Sequence, residues 1–529
     1  MTASSRPFPP GFLFGAATAA FQIEGAAHDD GRRDSIWDAF CRVPGAVLNG
    51  DTGDVACDHY HRYRDDVALM ARMGLDTYRF SVSWARVRPD GGDLNPAGVD
   101  FYARLVDELL DAGIKPWLTL YHWDLPQALQ ERGGWTVRDT AERFTEYALD
   151  MHDALGDRVP VWTTLNEPWC SSFLSHTAGV HAPGHRSVAE GLLAAHHLLL
   201  GHGQIVRELR ARDASLDVGL TLNLTVADPV DAADPADADA ARRIDGQFNR
   251  WFLDPVFRGA YPADIVDDIR VVDPVAVARW QDAVHPGDLE VIATPIDTLG
   301  VNYYHGEYVG GRPPAVAPDA GEAPTARPTA SPFPSHESIF WYDRGLARTP
   351  MNWEVQPEGL TRLLVRVADE YARPAGTVLY VTENGAAYDD EPVVESDGQV
   401  RVHDLERVEY VRAHLGAVLD AVEAGADVRG YFYWSLLDNF EWAWGYDKRF
   451  GLVHVDYATQ RRTVKDSGRD YARIIAARAL GASGHEVDDD TGHAARDAAG
   501  HEVGDDTGHA ARGATGHEVD DETGAPVGR

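Results

Sequence analysis

Short runs rich in β-branched and aromatic residues alternate along the chain with longer stretches in which apolar side chains recur at helical spacing. The clearest strand-like runs are Thr77–Ser83, Pro116–Tyr121, Val161–Leu165, Val218–Leu222, Thr298–Tyr303, Val378–Thr382 and Gly430–Trp434. Phe12–Ala16 adds an eighth near the start. Between them lie helical stretches such as Val99–Ala112, with Phe101, Leu105, Leu109 and Leu110 near one face. Eight strands, each followed by a helix or a helix-bearing insertion, predict an α/β fold: a single parallel (β/α)8 TIM barrel with long βα loops. A doubly wound open sheet needs a glycine-rich phosphate turn after an early strand, and the sequence has none there.

Two segments depart from this rhythm. Residues 311–337 are proline-rich and read as a surface loop or insertion in a body spanning residues 1–483. From Gly484 the sequence repeats every sixteen residues: GHEVDDDTGHAARDAA, then GHEVGDDTGHAARGAT, then GHEVDDETGAPVGR. This stretch, 484–529, holds twelve acids against three arginines and almost no large apolar side chains. It cannot offset the entropy of ordering itself, so a disordered acidic tail is expected.

Composition narrows the partners. Hydrophobic residues are 44% and charged residues 25%, as in an ordinary soluble protein, but 84 acids face 48 bases for a net charge of −36. Such a surface repels nucleic-acid phosphates and anionic membranes, which argues against both. Three cysteines exclude a disulfide framework and fit a reducing compartment. Phe12–Phe21 has the look of a signal-peptide core. The single base Arg6, the prolines Pro7, Pro9 and Pro10, and Gln22 and Glu24 beyond it oppose that, so a cytoplasmic protein is expected. No apolar stretch is long enough to span a bilayer. Nothing in the composition decides between a monomer and a homo-oligomer.

The polar residues of interest gather just past the strands: Gln22, His122, Asn166–Glu167, Asn302 to Tyr304, Glu383, and Trp434 with Glu441–Trp442 in its loop, while Arg79 lies in the second strand. In a (β/α)8 barrel these positions open on one face, the face that carries active sites. Glu167 (in TLNEP) and Glu383 (in VTENG) stand out. Each taken alone is also compatible with capping a helix or pairing with a base. Pro168 reads as a stop to helix formation, and Gly385 as the site of a sharp turn. Two acids at matching strand ends, amid aromatic and amide side chains, suit cleavage of a glycosidic bond. Asp58, His59 and His61 beside Cys57 raise a metal site, but so short a run seldom closes a tetrahedron, and no metal is expected.

These motifs together resemble glycoside hydrolase family 1. FLFGAATAAFQIEG (12–25) is similar to its amino-terminal signature, TLNEP and VTENG to its two catalytic motifs, and YFYWSLLDNFEWAWGY (431–446) to its sugar-binding loop. The likeness covers about residues 8–480. It implies a retaining β-glycosidase that uses no cofactor, with Glu383 as nucleophile, Arg79 and Tyr304 against that carboxylate, and Glu167 as acid/base. Retaining chemistry sets the two carboxyl groups about 5–5.5 Å apart. A guanidinium beside Glu383 favours its ionised form, and a negative neighbour raises the pKa of Glu167. By the same resemblance Gln22, His122, Asn166, Asn302, Trp434, Glu441 and Trp442 bind the sugar. Phe450 edges its site, with ordinary packing as the alternative. A carboxylate at 441 repels a phosphorylated sugar, so unphosphorylated β-glucosides are the expected substrates. A β-galactosidase or β-fucosidase of the same fold remains open, as does a sugar-binding protein without catalysis.

Overall fold

The computed structural model describes residues 5–319 and 321–481; the acidic repeat tail lies outside the described residues. Eight parallel strands close into a barrel: β1 Leu13–Ala17, β2 Thr77–Ser81, β3 Lys115–Tyr121, β4 Val161–Asn166, β5 Asp217–Asn223, β6 Thr298–Asn302, β7 Val378–Asn384 and β8 Val428–Trp434. The ring closes where β8 meets β1, with Gly430 opposite Leu13 and Trp434 opposite Ala17, and no edge strand is left. Each strand lies within two residues of the limits that the sequence pattern predicts.

Helices wrap the ring. The first four strands are followed by α1 His59–Met73, α2 Pro96–Asp111, α3 Asp139–Leu155 and α4 Val188–Arg212. Several shorter helices lie between Pro235 and Ile292, and α5 Pro357–Val367, α6 Leu405–Glu423 and α7 Asp466–Ala477 follow the last three strands. In α2, Pro96 takes the first turn, where its missing N–H costs nothing. Phe101, Tyr102, Leu105, Val106 and Leu109 turn inward there, but Leu110 does not: it is 42% exposed. A rotation of about 100° per residue carries it past the buried stripe that begins at Phe101.

The barrel interior is layered. Near the start of the strands Trp117 packs edge-on against Tyr380 and Phe432, with ring centroids 4.8 and 5.0 Å away. Its indole N–H donates to Thr163 Oγ1 at 2.9 Å. Above lies a layer of small residues, Thr221, Gly300 and Thr382. A Cβ added at Gly300 would fall 2.2 Å from Thr221 Oγ1. The Thr221 hydroxyl donates to that of Thr382 at 3.3 Å. This narrow layer leaves the C-terminal mouth free for long polar side chains. There β4 and β7 break register with their neighbours, β4 between Thr163 and Asn166, β7 between Val381 and Glu383. Strict alternation lets only one of two consecutive residues face inward. The β7 irregularity lets Thr382 and Glu383 both turn inward, and just past β4 the left-handed backbone of Glu167 turns it to the same side as Asn166.

The loop after β6 is the longest over the mouth. It contributes Glu307–Gly310 and Phe340–Trp341 to a small three-stranded sheet with Ala227–Pro229. Between those strands runs the proline-rich segment, whose described residues form no helix or strand and are largely exposed. It is nonetheless anchored. The Arg327 guanidinium donates to the carbonyls of Gly179 and Gly184, the Ser335 N–H donates to Gln247 Oε1, and Phe333 and Ser335 are buried. Among the described residues no helix is long and apolar enough to cross a membrane. His59 is engaged by Asp66 and His61 by Asp58, and among the described residues no cluster of three or more His, Cys, Asp or Glu is arranged to hold a metal ion.

Candidate active site

Arg79, fully buried on β2, is the hub of the mouth. One terminal nitrogen donates to Glu383 Oε1 at 2.5 Å and the other to Asn166 Oδ1 at 2.6 Å. A guanidinium has only donors, so it fixes which end of the Asn166 amide faces it. Asn166 Nδ2 must then donate to His122 Nε2, at 3.0 Å. Asn302 Nδ2 donates to Asn166 Oδ1 at 3.1 Å and to Glu167 Oε1 at 2.7 Å, while its own Oδ1 accepts from the Thr382 hydroxyl at 2.7 Å. The second oxygen of Glu383 accepts from Tyr304 Oη at 2.8 Å.

Local backbone geometry makes this convergence. Glu167 has φ 48°, a left-handed conformation rare outside glycine and asparagine. Its carbonyl accepts from the N–H groups of Cys170 and Ser171, so helical turns begin at Pro168 and widen into a π-helix over Cys170–Thr177. Pro168 therefore opens the helix instead of stopping it, since proline suits a first helical position. Gly385 is also used differently from expectation. It does not adopt a left-handed backbone; a Cβ there would lie 1.8 Å from the Trp434 carbonyl oxygen. Trp123 (φ 80°) and Trp442 (φ 49°) are further non-glycine residues held left-handed at the same mouth.

The two acids are buried in unlike surroundings. Burial, then the charge of Glu383, pushes Glu167 up to about 8, against the bonds from Asn302 and Cys170. Burial raises Glu383 as well, opposed by Arg79, Tyr304 and Asn302, so the guanidinium restrains the rise and does not reverse it. The groups titrate as a pair, and the one bonded to Arg79 is the one that ionises first. Burial and the same two acids push Glu441 up to about 8, and burial beside Arg79 keeps His122 neutral.

Above the acids opens a cavity of about 450 Å³, room for a sugar and part of what it is linked to. His122, Glu167, Asn302, Tyr304 and Glu383 line its floor, and Trp434, Glu441, Trp442 and Phe450 contribute to the same lining. Arg79 and Asn166 lie behind that surface, acting through their hydrogen bonds. Gln22 is buried beside it, its amide N–H groups held by Asn439 Oδ1 and the Phe440 carbonyl of the loop that carries Glu441. Gln22 Oε1, His122 Nδ1 and Glu441 Oε2 are buried without a protein partner. Sugar hydroxyls would satisfy them.

Several lining residues escape the sequence reading. Trp169 and Cys170 adjoin Glu167, so their place beside a candidate acid was a usable signal. Phe248 comes from a π-helical turn, Gly246–Arg250, between two short helices, and Trp353, Pro332 and Phe333 come from loops without any periodic pattern. Trp169 stacks on Phe248 at 4.4 Å between centroids, with Phe333 at 5.8 Å from Trp169. The proline-rich segment thus supplies part of the cavity wall.

A sugar-sized cavity at the C-terminal mouth of a (β/α)8 barrel, floored by two carboxyl groups with unlike partners, is the equipment of a two-carboxylate glycosidase. The chain belongs to Glycosyl hydrolase family 1, whose sequence profile matches residues 4–480. It is 50% identical over 475 residues to thermostable beta-glucosidase B of Thermobispora bispora, covering 89% of this chain and 91% of that protein. A bifunctional beta-D-glucosidase/beta-D-fucosidase of Bifidobacterium breve is 46% identical over 475 residues, 89% of this chain and 98% of that one. Among solved structures, the psychrophilic beta-glucosidase of Micrococcus antarcticus superposes with a TM-score of 0.85 at 55% identity, covering 89% of this chain and 98% of its own.

The space at residue 385 is testable. Gly385→Ala forces the Trp434 backbone to move, at a cost of about 1–3 kcal/mol. The expected result is a melting temperature lower by a few degrees and a raised KM for nitrophenyl glycosides, measured by thermal unfolding and initial rates.

Proposed function

We propose that the chain is a retaining β-glucosidase that releases terminal β-D-glucosyl residues from the non-reducing ends of cello-oligosaccharides and of aryl or alkyl glucosides. The observation that carries this reading is the contrast between the two acids. Glu383 lies between a guanidinium and a phenol that favour its charge, and Glu167 is poised to hold a proton near neutral pH. Glu383 attacks the anomeric carbon while Glu167 gives its proton to the departing oxygen, so the C–O bond to the aglycone breaks as the ester to Glu383 forms. With Glu383 esterified its negative charge is gone, and the proton affinity of Glu167 falls. Glu167 then takes a proton from water, which attacks the same carbon and restores the β configuration. Gln22 and Glu441 bridge neighbouring hydroxyls and Trp434 underlies the ring's apolar face, while Asn166, behind the cavity surface, orients His122 and Asn302 toward the sugar. An intracellular setting belongs to the same proposal, supported by Cys41, Cys57 and Cys170 being buried free thiols.

A second specificity has its own support, since the Bifidobacterium breve relative is named for both glucosidase and fucosidase action. Matched nitrophenyl gluco-, galacto- and fucosides separate these. The expected order of kcat/KM places the glucoside at or near the top, with a β-galactoside-dominated profile contradicting the assignment. Glu383→Gly is expected to lose about 10⁴-fold or more in kcat and to recover with azide, giving the α-glycosyl azide; a β product refutes the nucleophile role. Glu167→Gln is expected to slow alkyl or phenyl glucosides by about 10²–10⁴-fold while sparing dinitrophenyl glucosides in the first step, and equal losses on both count against the acid role.

A further inference from the structure

We propose that Cys170 is a positioning residue for acid/base transfer: its thiol and the Asn302 amide divide the two oxygens of Glu167 between them, so that the transferable proton is carried on Oε2. The inference rests on Glu167 being the acid/base.

The division follows from hydrogen-bond polarity. Arg79 donates to Asn166 Oδ1, which makes that oxygen an acceptor toward Asn302 as well. The Thr382 hydroxyl donates to Asn302 Oδ1. The Asn302 amide cannot flip without setting its oxygen against Asn166 Oδ1, an acceptor already fixed by Arg79, so one of its N–H groups points at Glu167 Oε1, 2.7 Å away, whatever the protonation state. The carbonyl oxygen of a neutral acid is its better acceptor and takes that place. The proton therefore sits on Oε2.

Cys170 Sγ is 3.2 Å from Oε2. On its other side the thiol sulfur accepts from Asn223 Nδ2 at 3.6 Å. A thiol is a weak donor and a weak acceptor. It can give its hydrogen to the charged carboxylate and turn away when the proton returns, at little cost in either state. A hydroxyl would hold the charged form more tightly, and a methyl would not hold it at all. Cys170 lines the cavity in the first turn after Glu167, so it moves with the acid and not with the sugar-binding loops. The other charged or titratable groups facing Glu167 are Glu383 on β7, Arg79 on β2, Tyr304 after β6 and Glu441 after β8. All are unchanged in the variants below.

The test compares pH profiles of kcat/KM for the full chain, Cys170→Ala and Cys170→Ser, on phenyl β-glucoside, which needs protonation to leave, and on 2,4-dinitrophenyl β-glucoside, which does not. Removing a donor to the charged form raises the acid's pKa, so the alkaline limb on the phenyl substrate moves up by about half to one pH unit in Cys170→Ala. In Cys170→Ser the stronger donor moves it down. The limb on the dinitrophenyl substrate stays with the parent in both. Limbs that do not move, or that move in the same direction in both variants or on both substrates, overturn the proposal. Glu167→Gln separates the two levels. If the alkaline limb on phenyl glucoside disappears there while the Cys170 variants match the parent, only the role of Cys170 falls. If the limb survives in Glu167→Gln, the acid assignment falls and the proposal with it.

Discussion

A guanidinium sealed in the mouth of a barrel cannot remain unpaired, and the site is organised around that constraint. Arg79 offers donors only, and each acceptor that meets it has its orientation decided. Through Asn166 it settles which nitrogen of His122 accepts, and through Asn302 it settles which oxygen of Glu167 receives an N–H. The charge that makes Glu383 tolerable in a buried place is the same charge that sets these polarities. One side chain thus fixes the direction of a network reaching from β2 to β4, β6 and β7.

The acids differ because their neighbours differ. Burial raises both, but only Glu383 has a cation and a phenol against it. Glu167 has an amide and a thiol, which support a charge more weakly. In the mechanism we propose, esterification of Glu383 would remove its charge and lower the proton affinity of Glu167, so the two halves of the reaction would call on opposite states of one residue.

Support for the mouth comes from a second buried network below the loops after β7 and β8. Lys465 bonds both Asp390 and Asp438, Arg407 holds Asp390 and Asp404, and Arg449 reaches Asp438 at 2.8 Å. Three cations and three carboxylates balance there. Through Lys465 these bonds tie Asp438 of the Trp434–Glu441 loop to Asp390 of the loop after β7, and breaking one partner would leave an uncompensated buried charge. The apolar wall made by Trp169, Phe248 and Phe333 depends on a different contact, the packing of the proline-rich segment across the mouth.

The strand and helix periods, the TLNEP and VTENG segments and the run of polar residues past strand ends were legible in the chain itself, because short-range pattern decides which segments become buried strands. That was enough for the barrel, the family, and the placing of Glu167 and Glu383 at one mouth. It was not enough for Phe333 or Trp353 as cavity walls, for Pro168 as the start of a helix, or for Gly385 as a point of close approach. Those depend on which distant backbone lies alongside. Nor does alternation allow Asn166 and Glu167 to face one way together; the left-handed backbone of Glu167 does that, and on β7 a register break against a strand about eighty residues away brings Thr382 and Glu383 inward together. Sequence determined which groups the site has. Tertiary structure decided their protonation and direction, because both depend on burial and on hydrogen-bond partners that meet only when the ring is closed.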